Sequence, residues 1–355
     1  MPKNDLSPHA LNRASLARQL LLKRETMPAV TAIQHLVALQ AQLARPPYMA
    51  LWSRLEGFKR EELLAAIHAR EIVRATFLRG TLFYLTRADY LAFRGTLQPV
   101  MDAGLQAILK QRGEMPALAG ILELARERFG ASPCDFETVR QLLVAHHPGM
   151  DDRAMGYAAR MSVPLVQVPD ESTWGFPGTP AFTTVEAWLG RDPDPGSDLR
   201  GLVKRYLAAF GPASPQDMQV WSGLKGLKAV FETMDLIKLG SMYDLPDAPR
   251  PDEDTPAPVR FLPDFDTLLS AYDKRQRIIA DEHRPFVYQT KNLRVMPVYL
   301  VDGMVAGVWK LAGKGTLELT AFAGKVPDEV VAEGERLVRF AEPAAKKHLV
   351  VTKPA

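Results

Sequence analysis

The chain has 355 residues, of which 47% are hydrophobic and 8% aromatic, with a formal net charge of +3. It contains no apolar run of about 18 residues, the length that crosses a membrane, and its single cysteine, Cys134, excludes an internal disulfide and a cysteine-rich zinc site. Residues 1–110 hold 15 Lys and Arg against 8 Asp and Glu (+7), whereas residues 111–355 hold 29 against 33 (−4). We therefore expect a cytoplasmic globular protein. Its basic first third points toward a polyanion, and from charge alone an ordinary solvated face is the alternative.

The first third predicts several helices followed by a short hairpin. Helical spacing covers residues 11–23, 48–55 and 59–69, and a further helix begins at Thr26 and ends before Pro46-Pro47. Residues 72–77 and 81–86 have the composition of two strands, joined through Leu78-Arg79-Gly80. Helices followed by a hairpin are the layout of a winged helix.

The same order of elements recurs twice downstream. The predicted segments are helices at 115–129, 136–146 and 152–161, strands near 165–168 and 174–182, helices at 199–210, 214–221 and 225–236, an acidic proline-rich linker at 244–258, and a hairpin at 298–309 that turns at Asp302-Gly303. This order predicts an α+β fold, mainly helical with small β-hairpins. Its three units would be residues 1–112, 113–195 and 196–355, the last ending in hairpin elements.

Two glutamines spaced two apart, Gln40 and Gln42, stand where a helix must end. In a helix their side chains would diverge by about 200°, whereas in extended backbone alternate side chains point the same way. If the backbone leaves the helix between Leu39 and Pro46, the two amides converge on one small polar object such as a water molecule. Spacing alone is also typical of ordinary polar residues that cap carbonyls or face solvent.

Five short blocks of this sequence, taken in order, resemble the AlkZ-like winged-helix DNA glycosylases, in their Gln-x-Gln branch. The blocks lie at residues 39–55, 79–82, 211–224, 261–266 and 301–303. The resemblance implies three tandem winged-helix motifs in a C-shaped molecule with a concave DNA-binding face. It also implies removal of alkylated purines, or unhooking of crosslinks made through purine nitrogens. One position departs from the family, since Phe83 stands where members often carry His.

Excision of such bases does not require strong acid catalysis. Alkylation at N7 or N3 gives the purine a positive charge, so the base already leaves easily. The enzyme then has to place a water molecule and stabilise charge that develops on the sugar. Amide carbonyls accept hydrogen bonds from water but are too weakly basic to take its proton. We expect Gln42 to be the main water-positioning residue, with Gln40 as its partner that also holds sugar or phosphate, and no metal or other cofactor.

Several side chains are candidates for contact with double-stranded DNA. They are Arg45, Arg54, Arg74, Arg79, Thr81, Tyr84, Arg277 and Arg294. For Arg54 the alternative is pairing with Glu56 or packing by its stem. No motif positions a lysine for a Schiff base, so we expect a monofunctional glycosylase that leaves an abasic site uncleaved and acts as a monomer.

A second class of function remains open, because winged helices also serve as DNA-binding regulators without chemistry. The alternatives are a non-catalytic winged-helix transcription regulator and a silent relative that binds lesions. Three units in one chain leave little need for a dimer, and no predicted helix presents the cluster of Arg, Asn and Gln that reads bases. The sequence leaves open which adduct is the substrate and whether the base is flipped.

Overall fold

Helices and short strands alternate along the chain, of which the computed structural model describes residues 6–112, 118–291 and 293–353. The helices are α1 Pro8–Arg18, α2 Ala29–His35, α3 Pro46–Arg54, α4 Arg60–His68, α5 Arg87–Phe93, α6 Gln98–Arg112, α7 Leu118–Ala131, α8 Phe136–His146, α9 Asp152–Ser162, α10 Val185–Leu189, α11 Leu199–Phe210, α12 Pro215–Ser222, α13 Lys228–Glu232, α14 Arg284–Val287 and α15 Asp328–Ala341. The strands are β1 Leu39–Gln40, β2 Ile72–Thr76, β3 Leu82–Thr86, β4 Leu165–Gln167, β5 Phe182–Thr184, β6 Ile237–Leu239, β7 Met242–Asp244, β8 Arg260–Leu262, β9 Tyr288–Gln289, β10 Arg294–Val295, β11 Val298–Val301, β12 Met304–Gly313, β13 Thr316–Ala321 and β14 Leu349–Lys353.

An antiparallel five-stranded sheet, in the order β1-β3-β2-β4-β5, spans the first two predicted units. The hairpin of β2 and β3 is present as predicted, with a 3₁₀ turn at Leu78–Gly80 between its strands. β2 reaches β4 through the pair Ala75 and Val166. The hairpin of the first unit is therefore continuous with the strands of the second.

The second five-stranded sheet, in the order β14-β13-β12-β11-β8, lies in the C-terminal third. Its hairpin of β11 and β12 turns at Asp302-Gly303, where both residues have positive φ, as the Asp-Gly pair predicts. The pairing of β13 with β14 is parallel, and α15 connects the two strands. Gly334 of α15 leaves room for Leu317 of β13, since a Cβ there would lie 2.9 Å from the Leu317 side chain.

Most predicted helices are present, and the differences have local causes. Helix α12 begins with a capping box, in which Ser214 and Asp217 bond each other's backbone. The first helix ends at Arg18 rather than at 23, because Leu20 is left-handed. Helix α2 begins at Ala29 without a cap from Thr26, and the Glu62 carboxylate accepts from the Ala29 N–H instead.

Two further predictions need correction, and a third lies partly outside the described residues. The helix predicted at 225–236 shrinks to α13 because Gly226 has positive φ. Of the strand predicted at 174–182, residues 174–181 form a loop, and strand β5 begins at Phe182. Residues 115–117 of the helix predicted at 115–129 are outside the described part of the chain.

The largest core cluster draws buried side chains from all three predicted units, among them Phe83, Val166 and Trp221. A second cluster packs the α2–α4 region against the C-terminal sheet, with Tyr48 and Phe261 as members. The first unit is thus packed against both others. None of the helices in the described residues is long and apolar enough to cross a membrane.

Candidate active site

Gln40 ends the short strand β1 that follows α2, and Gln42 lies in a bend two residues later. The helix ends at His35, Val37 turns the chain with a φ of 69°, and β1 then pairs with β3. Helix α3 begins only at Pro46. The helix thus ends before Leu39, earlier than the exit predicted between Leu39 and Pro46, because Val37 turns the chain. We call residues 40–42 the Gln segment.

Both amides of the Gln segment are held by the hairpin of β2 and β3. The Arg79 guanidinium donates to Gln40 Oε1 at 3.1 Å, and the Leu82 backbone N–H donates to Gln42 Oε1 at 3.0 Å. Because both partners are donors only, each amide must present its oxygen to the hairpin. Each amide oxygen has a second lone pair that can accept another hydrogen bond. Each Nε2 points away from the donor that the oxygen bonds.

The site is open to solvent. Gln40 is partly buried and Gln42 is exposed, and the next residue, Leu43, is 51% exposed. Phe83 pairs with Gln40 across the sheet, is fully buried and packs against Phe77 at a centroid distance of 6.4 Å. The position where the resembled family often carries His thus contributes an apolar contact and no hydrogen bond.

Arg79 joins the Gln segment to the third predicted unit. One guanidinium nitrogen donates to Gln40 and another to the Trp221 carbonyl in α12. Its φ of 52° lies in the left-handed region, so the turn directs this side chain by a backbone conformation that few residues other than glycine adopt. Burial, together with the like charge of Arg275, lowers the pKa of Arg79 to about 10, which leaves it charged at neutral pH.

Two pockets flank the turn at Leu78–Gly80. One, of about 320 Å³, is lined by Arg79, Arg275, Tyr288 and Arg294 among others. The other, of about 370 Å³, lies on the side of Gly80, and its lining includes Arg140, Arg153 and Arg160 from α8 and α9. None of these three arginines was predicted as a site residue, although Arg153 and Arg160 are spaced to share one face of a helix.

Four of the predicted DNA contacts are buried, which contradicts those predictions. Arg54 is 1% exposed, and its guanidinium bonds both Asp266 oxygens, at 2.9 and 3.0 Å. Arg277 donates to the Pro212 carbonyl at 2.9 Å. Tyr84 is fully buried, and burial raises the pKa of its hydroxyl.

Arg74 is the fourth of these buried residues, and it bonds the Gln segment itself. Its guanidinium donates to the carbonyls of Ala41 and Gln42. The sequence predicted a phosphate contact here because an isolated arginine on a strand carries no signal of the backbone carbonyls that it meets. The same holds for Gln42 and Arg79, since their partners, the Leu82 N–H and the Trp221 carbonyl, are backbone groups.

The other predicted contacts lie at or near the surface and stay predictions. Arg45 is partly buried just before α3, and its side chain has no hydrogen bond or ion pair to any described residue. Thr81 is partly buried and donates to the Leu78 carbonyl at 3.2 Å. The Arg294 side chain is 42% exposed and bonds Asp264 at 2.9 Å.

No three His, Cys, Asp or Glu side chains of the described residues cluster as a metal site would require. The polar groups beside the Gln segment are amides, guanidinium groups and backbone N–H groups. This set orients small polar molecules and binds anions, and no carboxylate or imidazole of the described residues is hydrogen-bonded to the side chains of Gln40 and Gln42.

The family model described as DNA glycosylase AlkZ-like matches residues 33–340. The chain belongs to the AlkZ-like DNA glycosylase family. Membership supports a DNA repair glycosylase, a hydrolase of N-glycosyl bonds with DNA as its substrate. Among solved structures, the Streptomyces sahachiroi DNA glycosylase AlkZ is similar, with a TM-score of 0.80, 19% identity, and coverage of 99% of this chain and 100% of that one. At this identity the likeness shows a shared fold. No curated protein sequence matches the chain.

Proposed function

We propose that this chain is a monofunctional DNA glycosylase that hydrolyses the N-glycosidic bond of cationic, N-alkylated purines. The observation that carries the proposal is the pair of amides in the Gln segment, each oriented by one donor of the same hairpin. The Gln-x-Gln pair at this position supports assignment of the chain to the Gln-x-Gln branch of its family as part of this proposal.

In this reaction the C1′–N bond breaks with its electron pair moving onto the purine, which leaves as a neutral base. A water oxygen then bonds to C1′ and its proton passes to solvent. The second lone pair of Gln42 Oε1 accepts a hydrogen bond from that water, and the Leu82 N–H keeps the amide from rotating away. The amide dipoles also stabilise positive charge on the sugar. Because neither amide takes a proton, the substrates are limited to good leaving groups.

The open surface before Gln42 favours substrates that cannot enter a closed pocket. A crosslinked purine remains tied to the opposite strand and does not swing out freely. We therefore include the unhooking of interstrand crosslinks in the proposed activity. The three units would form a C-shaped array of winged helices around the duplex, with phosphate contacts from Arg45, Arg79 and Arg294 and a contact from Thr81.

The test is Gln42→Ala, measured as single-turnover release of N7-methylguanine from a duplex. Loss of one preorganised group slows such steps by about 100-fold or more, so we expect at least that decrease with duplex binding and Tm nearly unchanged. The matched control is Gln34→Ala, which removes an exposed glutamine from the neighbouring helix α2. Full activity of a folded Gln42→Ala protein would exclude the assigned role.

A further inference from the structure

Arg74 lies behind the Gln segment with its side chain 5% exposed. It shares a row of the sheet with Tyr84 and Leu39, because Arg74 pairs with Tyr84 and Tyr84 pairs with Leu39. Its Nε and Nη2 donate to the Ala41 carbonyl at 3.0 and 2.8 Å, and Nη2 also donates to the Gln42 carbonyl at 3.2 Å. The guanidinium thus bonds two successive carbonyls of the Gln segment.

The charge of Arg74 has no carboxylate partner among the described residues. Its neighbours are the hydroxyls of Tyr48 and Tyr84 and the ring of Phe176, whose centroid lies 5.2 Å away. A buried charge is costly unless hydrogen bonds compensate it. Here that compensation comes from the Ala41 and Gln42 carbonyls, so Arg74 and the Gln segment fix each other.

The bonds of Ala41 show what Arg74 changes. The Ala41 N–H donates to the Leu82 carbonyl at 2.7 Å. In a regular antiparallel ladder the Leu82 N–H would return a bond to the Ala41 carbonyl. That carbonyl accepts from Arg74 instead, and the Leu82 N–H bonds the Gln42 side chain. The ladder therefore stops at Ala41, and the amide of Gln42 occupies the place of a backbone acceptor.

We propose that Arg74 is a positioning residue for the glycosylase reaction. By withdrawing the Ala41 carbonyl from the ladder, it leaves the Leu82 N–H free to hold Gln42 Oε1. The inference rests on the proposed function, since it assigns Arg74 to the placement of the water-positioning amide. Without the guanidinium, β1 extends by one residue, the Ala41 carbonyl takes the Leu82 N–H, and the Gln42 amide is released.

The kinetic test is Arg74→Met, which keeps an apolar stem and removes every donor. Misplacement of a reacting group by about 1 Å costs on the order of 100-fold in rate, so we expect excision of N7-methylguanine to slow by about that factor, with duplex binding unchanged. In a Gln42→Ala background the same substitution should add no further loss. The matched control is Arg260→Met, because Arg260 is also buried and donates to the carbonyls of Leu21 and Val259.

Hydrogen exchange of the Leu82 amide tests the same inference without enzymatic activity. In Gln42→Ala this N–H loses its acceptor while Arg74 still occupies the Ala41 carbonyl, so exchange should accelerate. In the Arg74→Met, Gln42→Ala double variant the Ala41 carbonyl is available, and slow exchange should return. Equally fast exchange in both proteins would overturn the inference, as would full excision activity of folded Arg74→Met. If the wild type released no alkylated base, the proposed function would fail and the exchange result would still decide the role of Arg74.

Discussion

The side chain of Gln42 acts here in a place that sheet geometry normally gives to a backbone carbonyl. Its oxygen accepts from the Leu82 N–H, and its exposed position leaves the remaining lone pair toward solvent. Its partner Gln40 is fixed by Arg79 in the same way. At the scale of single residues, the site is therefore built from groups that orient without titrating.

Because the groups of the site do not titrate near neutral pH, we predict that the rate of base excision is independent of pH there. Amides do not titrate, and Arg79, whose pKa is lowered to about 10, stays mostly protonated up to about pH 9. The single-turnover rate constant for N7-methylguanine should therefore stay constant between about pH 6 and 9. In Gln42→Glu, the exposed carboxylate should introduce a dependence on pH below this window, near the ordinary glutamate pKa of about 4.3. A wild-type rate that follows one ionisation inside this window would indicate a general base and contradict the mechanism.

At the scale of helices and strands, local patterns predicted most elements. Helices α8 and α11 have their predicted bounds, and the turn at Asp302-Gly303 follows from its residue pair. Pairings between distant segments could not be predicted in this way. Ala75 pairs with Val166, about 90 positions further along the chain, and this pairing joins the first two units. Nothing in the sequence around either residue indicates which segment it pairs with.

The candidate site was predictable only in part. The proline pair indicated that the helix ends before Pro46, whereas the convergence of Gln40 and Gln42 on one small polar object stays a prediction. The buried roles of Arg54 and Arg74 were not predictable, because an arginine that bonds a distant Asp266 or backbone carbonyls looks in sequence like one that binds phosphate. The positive charge of residues 1–110 therefore led to more predicted DNA contacts than there are exposed side chains to make them.

At the scale of the whole molecule, buried polar contacts tie the first predicted unit to the third. Arg54 of α3 bonds Asp266, which lies just after β8, and both side chains are 1% exposed. Arg79 adds its bond to the Trp221 carbonyl. The Gln segment is therefore positioned by contacts across units as well as by its own hairpin.

The buried pair predicts a large effect on stability. Arg54→Met leaves the Asp266 carboxylate buried without its partner, which costs about 3–5 kcal/mol of unfolding free energy. The contrasting variant is Arg284→Met, since Arg284 and Asp281 form an exposed pair worth about 0–1 kcal/mol. Urea titration of both proteins measures the difference. Similar midpoints for the two variants would show that the buried pair does not stabilise the fold.

The central claim is that amide-positioned water suffices only for a base that is already cationic. Release of free base from three duplexes, containing N7-methylguanine, uracil or only normal bases, tests it most directly. We predict release of N7-methylguanine alone, with the abasic strand left intact and no borohydride-trapped adduct. Release of uracil at a comparable rate would contradict the account, because a neutral base needs proton transfer that Gln40 and Gln42 do not provide.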